Sequence, residues 1–158
     1  MKFEGVFPFR EKEAVMQSVQ ENIVVDLILQ HRRELHFPDG LAGCGEARDF
    51  VLVAKDHEAP LFWLELKNMT DRAFLTVDPF LIYPEYSPEF YNNDLEELHV
   101  DHADDLFVLC IAHVKPGDPR KISLNLAEPL LINWATGIGK QVKIRNANEY
   151  AHMHSIGF

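Results

Sequence analysis

Leu106-Phe-Val-Leu-Cys-Ile-Ala-His-Val114, then Lys115-Pro-Gly-Asp-Pro119, then Ile122-Ser-Leu-Asn-Leu126 follow one another in the second half of the chain. The first piece is apolar apart from His113, and far shorter than the roughly 20 residues needed to span a membrane. The second gathers proline, glycine and aspartate, the residues that set turn geometry. The third is again short and apolar. Together they read as strand, turn and strand, and so as a β-hairpin.

The same grammar recurs on both sides. Phe50–Ala54, Leu61–Leu66, Ala73–Val77, Leu130–Asn133 and Gln141–Arg145 are short segments rich in Val, Ile, Leu and Phe. Ala135-Thr-Gly-Ile-Gly139 joins the last two as a second turn. Pro60, Pro79, Pro84, Pro116, Pro119 and Pro129 mark strand starts, edges and loops, because proline cannot donate to a ladder. Many short strands with close turns imply an all-β fold, a small antiparallel β-barrel or roll.

One short helix is expected over residues 93–99. Asn93 stands three residues before Glu96 in a capping-box spacing, and Leu95 and Leu98 supply an apolar stripe. Nearer the start, Glu11–Glu21 is polar with near-helical apolar spacing, and Ile23–Leu29 is apolar but broken by Asp26. Either helix or strand suits these stretches, and periodicity does not decide between them.

A chain of 158 residues, 47% of them apolar, is one domain with enough material for a core. Cys44 and Cys110 are too few for a secreted disulfide framework and read as reduced thiols. No charged segment followed by an apolar one opens the chain, so a cytoplasmic protein is expected. The net charge is −10, unevenly placed: residues 73–114 hold nine acids and no lysine or arginine. Such a band repels nucleic-acid phosphate and attracts a basic protein.

Catalytic signals are weak. His99 and His102, with Asp101, Asp104 and Asp105, form the densest cluster of possible metal ligands, and His152 and His154 form a smaller one. Neither has the spacing of a zinc finger or of the HExxH motif. Ser18, Ser87, Ser123 and Ser155 lack an activating partner or a nucleophile elbow. Gly40-Leu-Ala-Gly-Cys-Gly45 lacks the Lys-Ser/Thr of a phosphate loop and reads as a turn. The expectation is a binding protein without catalytic residue, metal or cofactor. A small metal-dependent hydrolase using His99 and His102 with neighbouring carboxylates is the alternative, as is a β-barrel adaptor with other partners.

Several segments in order resemble the flagellar assembly factor family, FliW. Phe37-Pro-Asp-Gly-Leu-Ala-Gly43 is similar to that family's F-P-x-G-L-x-G segment, and Pro60-Leu-Phe-Trp-Leu64 to its P-F-x-W-L strand. Ala73-Phe-Leu-Thr-Val-Asp-Pro-Phe80, Pro84-Glu-Tyr86, Ser123–Asn133, Gly139–Val142 and Tyr150 continue the likeness over residues 35–152. The resemblance implies a barrel domain over residues 35–158, with residues 1–34 as an N-terminal extension packed on or preceding it. Ala42 and Cys44 depart from it, standing where the family usually has proline and phenylalanine. The resemblance implies a β-barrel without cofactor and two partners: flagellin, held before secretion, and CsrA, a small basic RNA-binding regulator that represses flagellin synthesis. On that footing Asp94, Glu96, Glu97, Asp101, Asp104 and Asp105 are expected to face CsrA. Phe80 and Tyr86 are candidate aromatic anchors for a partner. Asn125 and Asn133 are either partner contacts or asparagines that satisfy turns.

Overall fold

Leucine, valine and phenylalanine on both faces of one strand require a cover on each side, and the architecture follows from meeting that need. The structure is a computed structural model that describes residues 22–28, 30–54, 61–150 and 154–157. Its strands are β1 (Arg32–His36), β2 (Asp49–Val53), β3 (Leu61–Leu66), β4 (Met69–Val77) and β5 (Leu106–Lys115). They continue with β6 (Asp118–Leu124), β7 (Leu130–Asn133), β8 (Ile138–Gln141) and β9 (His154–Gly157). Residues 22–28 are helical (α1), and two further short helices are α2 (Pro79–Ile82) and α3 (Asn92–Glu97).

Strands β4-β3-β2-β1-β8-β7-β5 are neighbours in that order, and β5 pairs back onto β4 to close the ring. Strand β5 serves three partners along its length. Leu106–Leu109 pair with β7, Cys110–Ala112 with β4, and Ala112–Lys115 with β6. Ala112 faces both Leu75 and Leu124, so β4 and β6 flank it on opposite edges. Strand β9 pairs with the outer side of β6. All pairings are antiparallel except the seam between β1 and β8, a single parallel pair of His36 with Ile138.

Alternate residues point to two separate cores. Leu35, Phe50, Leu52, Phe62, Leu64, Phe107, Leu109, Leu130 and Ile132 meet inside the barrel with Phe37, and Ile23, Val24 and Leu27 of α1 join the same cluster. The opposite face of β5, with Leu106, Val108 and Cys110, packs under the segment that carries α2 and α3. Phe80, Tyr86, Phe90, Leu95 and Leu98 from that segment are all buried there. Each fully buried Leu or Phe contributes about 1.5–3 kcal/mol of transfer free energy.

Most expected strands are present within a residue or two, and the two expected turns join β5 to β6 and β7 to β8. Four details differ. The strand expected at Gln141–Arg145 is β8 at Ile138–Gln141, because Thr136 and Gly137 already close the turn by donating to the Asn133 carbonyl. Val142 and Ile144 still donate to the carbonyls of Pro129 and Ala127, and their buried side chains produce the alternation seen in the sequence. The second difference is β1, whose Arg-Arg-Glu-Leu-His composition hid it: Leu35 alone of its residues is buried. Third, Asn93 does not cap α3. Tyr91 occupies the N-cap without a side-chain bond, and its carbonyl accepts from Asp94 and Leu95, so Asn93 lies within the helix. Fourth, α2 adds to the one helix expected, while the open choice at Ile23–Leu29 is answered by the helix α1 over residues 22–28. Asp78 caps α2 by accepting from the Phe80 amide at 3.0 Å, with Pro79 at the first helical position. The expected division after residue 34 falls inside β1, and Glu11–Glu21 lies outside the described residues.

Gly139 on β8 lies directly beneath the Phe37 ring, and a Cβ there would stand 2.5 Å from Phe37 Cε1. That is far inside van der Waals contact, and Phe37 is itself held edge-on to Phe50 at 5.5 Å. Gly139→Ala is expected to lower the urea midpoint by an amount equivalent to about 1–3 kcal/mol. An unchanged midpoint would show that Phe37 gives way freely.

Candidate functional site

The acidic residues singled out in the sequence lie on α3 and the loop that leads from it into β5. The α3 C-terminus is built by a reciprocal pair of backbone bonds. His99 donates to the Glu96 carbonyl at 3.0 Å and Val100 to the Leu95 carbonyl at 3.4 Å. This is a Schellman ending, which needs a left-handed residue after the last turn. His99 takes that place at φ 53, where glycine is usual. Leu95 and Val100 are both buried, the apolar contact that accompanies such an ending.

Asn133, at the end of β7, holds this ending from below. It is 2% exposed, and its amide nitrogen donates to the Leu98 carbonyl at 2.9 Å and to the His99 carbonyl at 3.3 Å. Its side-chain oxygen accepts from the Ala135 amide at 3.1 Å. One buried side chain therefore ties α3 to the β7–β8 turn.

Lys140 on β8 is the second tie. Its ammonium donates to Asp94 at 2.8 Å and to Glu97 one turn further along α3. Partial burial works to lower the Lys140 pKa, but the two carboxylates outweigh it and hold the value above the ordinary lysine range. Asp94 and Glu97 thus spend their charge within the fold. Glu96, Asp101 and Asp104 are exposed, and among the described residues none of the three is ion-paired. Asp105 is half-buried, and its carbonyl accepts from the Trp134 amide at 2.6 Å. The Asp26 carboxylate of α1 accepts from the Trp134 indole N–H at 3.1 Å and lines a cavity of about 190 Å³ with Asp104. Asp26 and Lys140 were invisible as site residues in the linear charge pattern, since both lie outside residues 73–114.

The structure corrects other expectations. Phe80 is 3% exposed and Tyr86 fully buried; their rings pack together at 5.6 Å, and the Tyr86 hydroxyl donates to the Leu126 carbonyl at 2.6 Å. They are core residues and offer a partner no surface, because the apolar face of β5 needs them. Asn133 is likewise internal. Asn125 is half-buried, and its side-chain oxygen accepts from the Glu128 amide at 3.2 Å, the work of a turn residue. His99 and His102 are exposed, and among the described residues no three His, Cys, Asp or Glu side chains gather as metal ligands. His152 lies outside the described residues. No helix among the described residues is long and apolar enough to cross a membrane.

Comparison with known proteins gives a consistent result. Residues 15–156 match the family model described as FliW protein. The flagellar assembly factor FliW of Thermotoga neapolitana is 32% identical over 112 residues, covering 71% of this chain and 75% of the relative. That of Leptospira interrogans is 33% identical over 118 residues, covering 75% and 79%. Flagellar assembly factor FliW 2 of Desulfotalea psychrophila is 35% identical over 108 residues, covering 68% and 70%. A crystal structure of the flagellar assembly factor FliW superposes with a TM-score of 0.66 at 27% identity, over 78% of this chain and 84% of the other.

Two substitutions test how the acidic face is held. Asn133→Ala leaves the buried Leu98 carbonyl and the part-buried His99 carbonyl and Ala135 amide without this partner, and is expected to cost about 1–3 kcal/mol. Faster amide exchange at Val100 and Ala135 is the accompanying local sign. Lys140→Met is expected to cost about 1 kcal/mol. A lysine whose folded pKa is raised contributes fully below the ordinary lysine value, and that contribution is lost only as pH rises through the raised one. The cost should therefore be level between about pH 6 and 9 and shrink at more alkaline pH. A cost that changes steeply near neutrality would assign the effect to another group.

Proposed function

The chain belongs to the FliW protein family, and from that membership we propose that it is a cytoplasmic flagellar assembly factor with two protein partners, flagellin and CsrA. The family is one of assembly factors rather than enzymes. In this reading the protein binds CsrA and so relieves repression of flagellin synthesis, and flagellin competes for or displaces the arrangement. The circuit is a partner exchange. Any effect of one partner on the affinity of the other is a coupling free energy and is reciprocal.

The observation that supports the CsrA arm is the set of exposed carboxylates Glu96, on α3, and Asp101 and Asp104, on the stretch after it, none of them ion-paired among the described residues. Asp94, Glu97 and Asp105 lie in the same stretch and add to the local field, although Lys140 offsets the first two. A basic regulator is steered to such a face and aligned by it. The same charge keeps RNA phosphate away from a regulator docked there. Flagellin binding rests on family membership, and no surface is assigned to it.

Calorimetric titration with CsrA and separately with flagellin of the same organism, each at two salt concentrations, tests the reading. Tight CsrA binding that weakens with salt is expected. The triple change Glu96→Lys, Asp101→Lys, Asp104→Lys should weaken CsrA binding by more than about tenfold. Flagellin binding with silent CsrA would remove the regulatory arm. Silence with both would overturn the proposal and leave the family and fold alone.

A further inference from the structure

One end of the barrel bears a cleft whose character is opposite to that of the acidic face. It has a volume of about 470 Å³ and lies between the Cys44–Asp49 loop and the β3–β4 turn. Leu66, Ala47 and the buried Cys44 give it an apolar floor. Arg48, Lys67 and Arg72 line it with three cations in a chain of net charge −10. Two carboxylates, Glu46 and Asp49, also line it, so the lining is cationic by one charge, and Asp49 is hydrogen-bonded to His36 at 2.8 Å.

The cations are held in different ways. The Arg48 guanidinium donates to the Gly45 and Ala47 carbonyls at 3.1 and 2.9 Å and lies against Gly40, which leaves it little freedom. Arg72 reaches across the cleft to the Gly43 carbonyl at 3.5 Å, a long bond, and among the described residues no carboxylate pairs with it. Lys67 contacts Glu34 at 3.4 Å in a pair exposed on both sides, worth little once solvent screens it. Met69 stands beside them with 46% of its surface exposed, an adaptable apolar contact at the cleft mouth.

We infer that this cleft is a second docking site, for an acidic segment of a protein partner that carries an apolar residue between its carboxylates. The apolar residue sits on the Cys44, Ala47 and Leu66 floor against Met69. A carboxylate pairs with Arg72, whose planar fork suits it, and a second meets Arg48 or Lys67. Charge complementarity selects the occupant: a basic segment is drawn to the acidic loop after α3 and has no reason to enter here. The inference goes beyond the proposed CsrA interaction and does not depend on it, since it uses other residues and the opposite charge.

The test is amide chemical-shift mapping on the full ¹⁵N-labelled chain with an acetylated, amidated heptapeptide, Glu-Asp-Leu-Glu-Leu-Asp-Glu. Its counterpart with Gln and Asn in place of Glu and Asp is the control. Shifts are expected at the Arg48, Lys67, Met69 and Arg72 amides with the acidic peptide alone, weakening as salt rises. Arg72→Glu should reduce the apparent affinity at least about tenfold, and Arg72→Lys, which keeps the charge but loses the fork, should fall between that variant and the unchanged chain. Arg72 is exposed, so an unchanged thermal midpoint serves as the folding control. Equal shifts with the neutral peptide, shifts confined elsewhere, indifference to Arg72→Glu, or none at about 2 mM peptide would each overturn the inference.

Discussion

Strand β5 is buried on both faces, and the rest of the molecule is arranged around that constraint. From Leu106 to Ala112 every side chain is buried. A strand of a one-sided sheet alternates apolar with polar; this one cannot. Its one face closes the barrel interior with Phe107, Leu109 and Ile111, and its other face demands a second layer. The stretch from Val77 to Val100 supplies that layer, and the segment from Val142 to Tyr150 completes it. The positions of α2 and α3 are thus consequences of burying Leu106, Val108 and Cys110.

The acidic face inherits its rigidity from this layer. The outer side of α3 carries charge because the inner side, through Leu95 and Leu98, is committed to the core. Asn133 and Lys140, both from the β7–β8 hairpin, then fix the helix end and two of its carboxylates. Carboxylates on a held loop present a constant field, whereas those on a loose one lose the advantage to the entropy of ordering. Pairing with Lys140 also divides the acids into two kinds. Asp94 and Glu97 are paired within the fold, and Glu96, Asp101 and Asp104 have no ion-pair partner among the described residues.

The two proposed sites carry opposite charge and are built differently. The acidic loop comes from one continuous stretch of chain. The basic cleft is assembled from Arg48, Lys67 and Arg72, brought together by the pairing of β2 with β3 and β3 with β4. In the proposed reading, specificity between two partners depends on repulsion at the wrong site as much as on attraction at the right one.

The sequence by itself determined the all-β class, most strand positions, both hairpin turns and the acidic band. Those are local properties: apolar runs, proline and glycine placement, and charge read along the chain. It also carried the likeness of its ordered segments to the flagellar assembly factor family. Tertiary structure alone decided the rest. Strand β1 is nearly all polar and exists because β2 offers it five paired residues, an interaction no local pattern announces. Phe80 and Tyr86 looked like exposed anchors beside prolines, yet the unmet apolar face of β5 buries them. Asn133 and Lys140 gained their roles from α3, which lies more than thirty residues earlier. Burial and pairing between distant residues are set by the closed ring, and a one-dimensional pattern holds no record of which face will lack a cover.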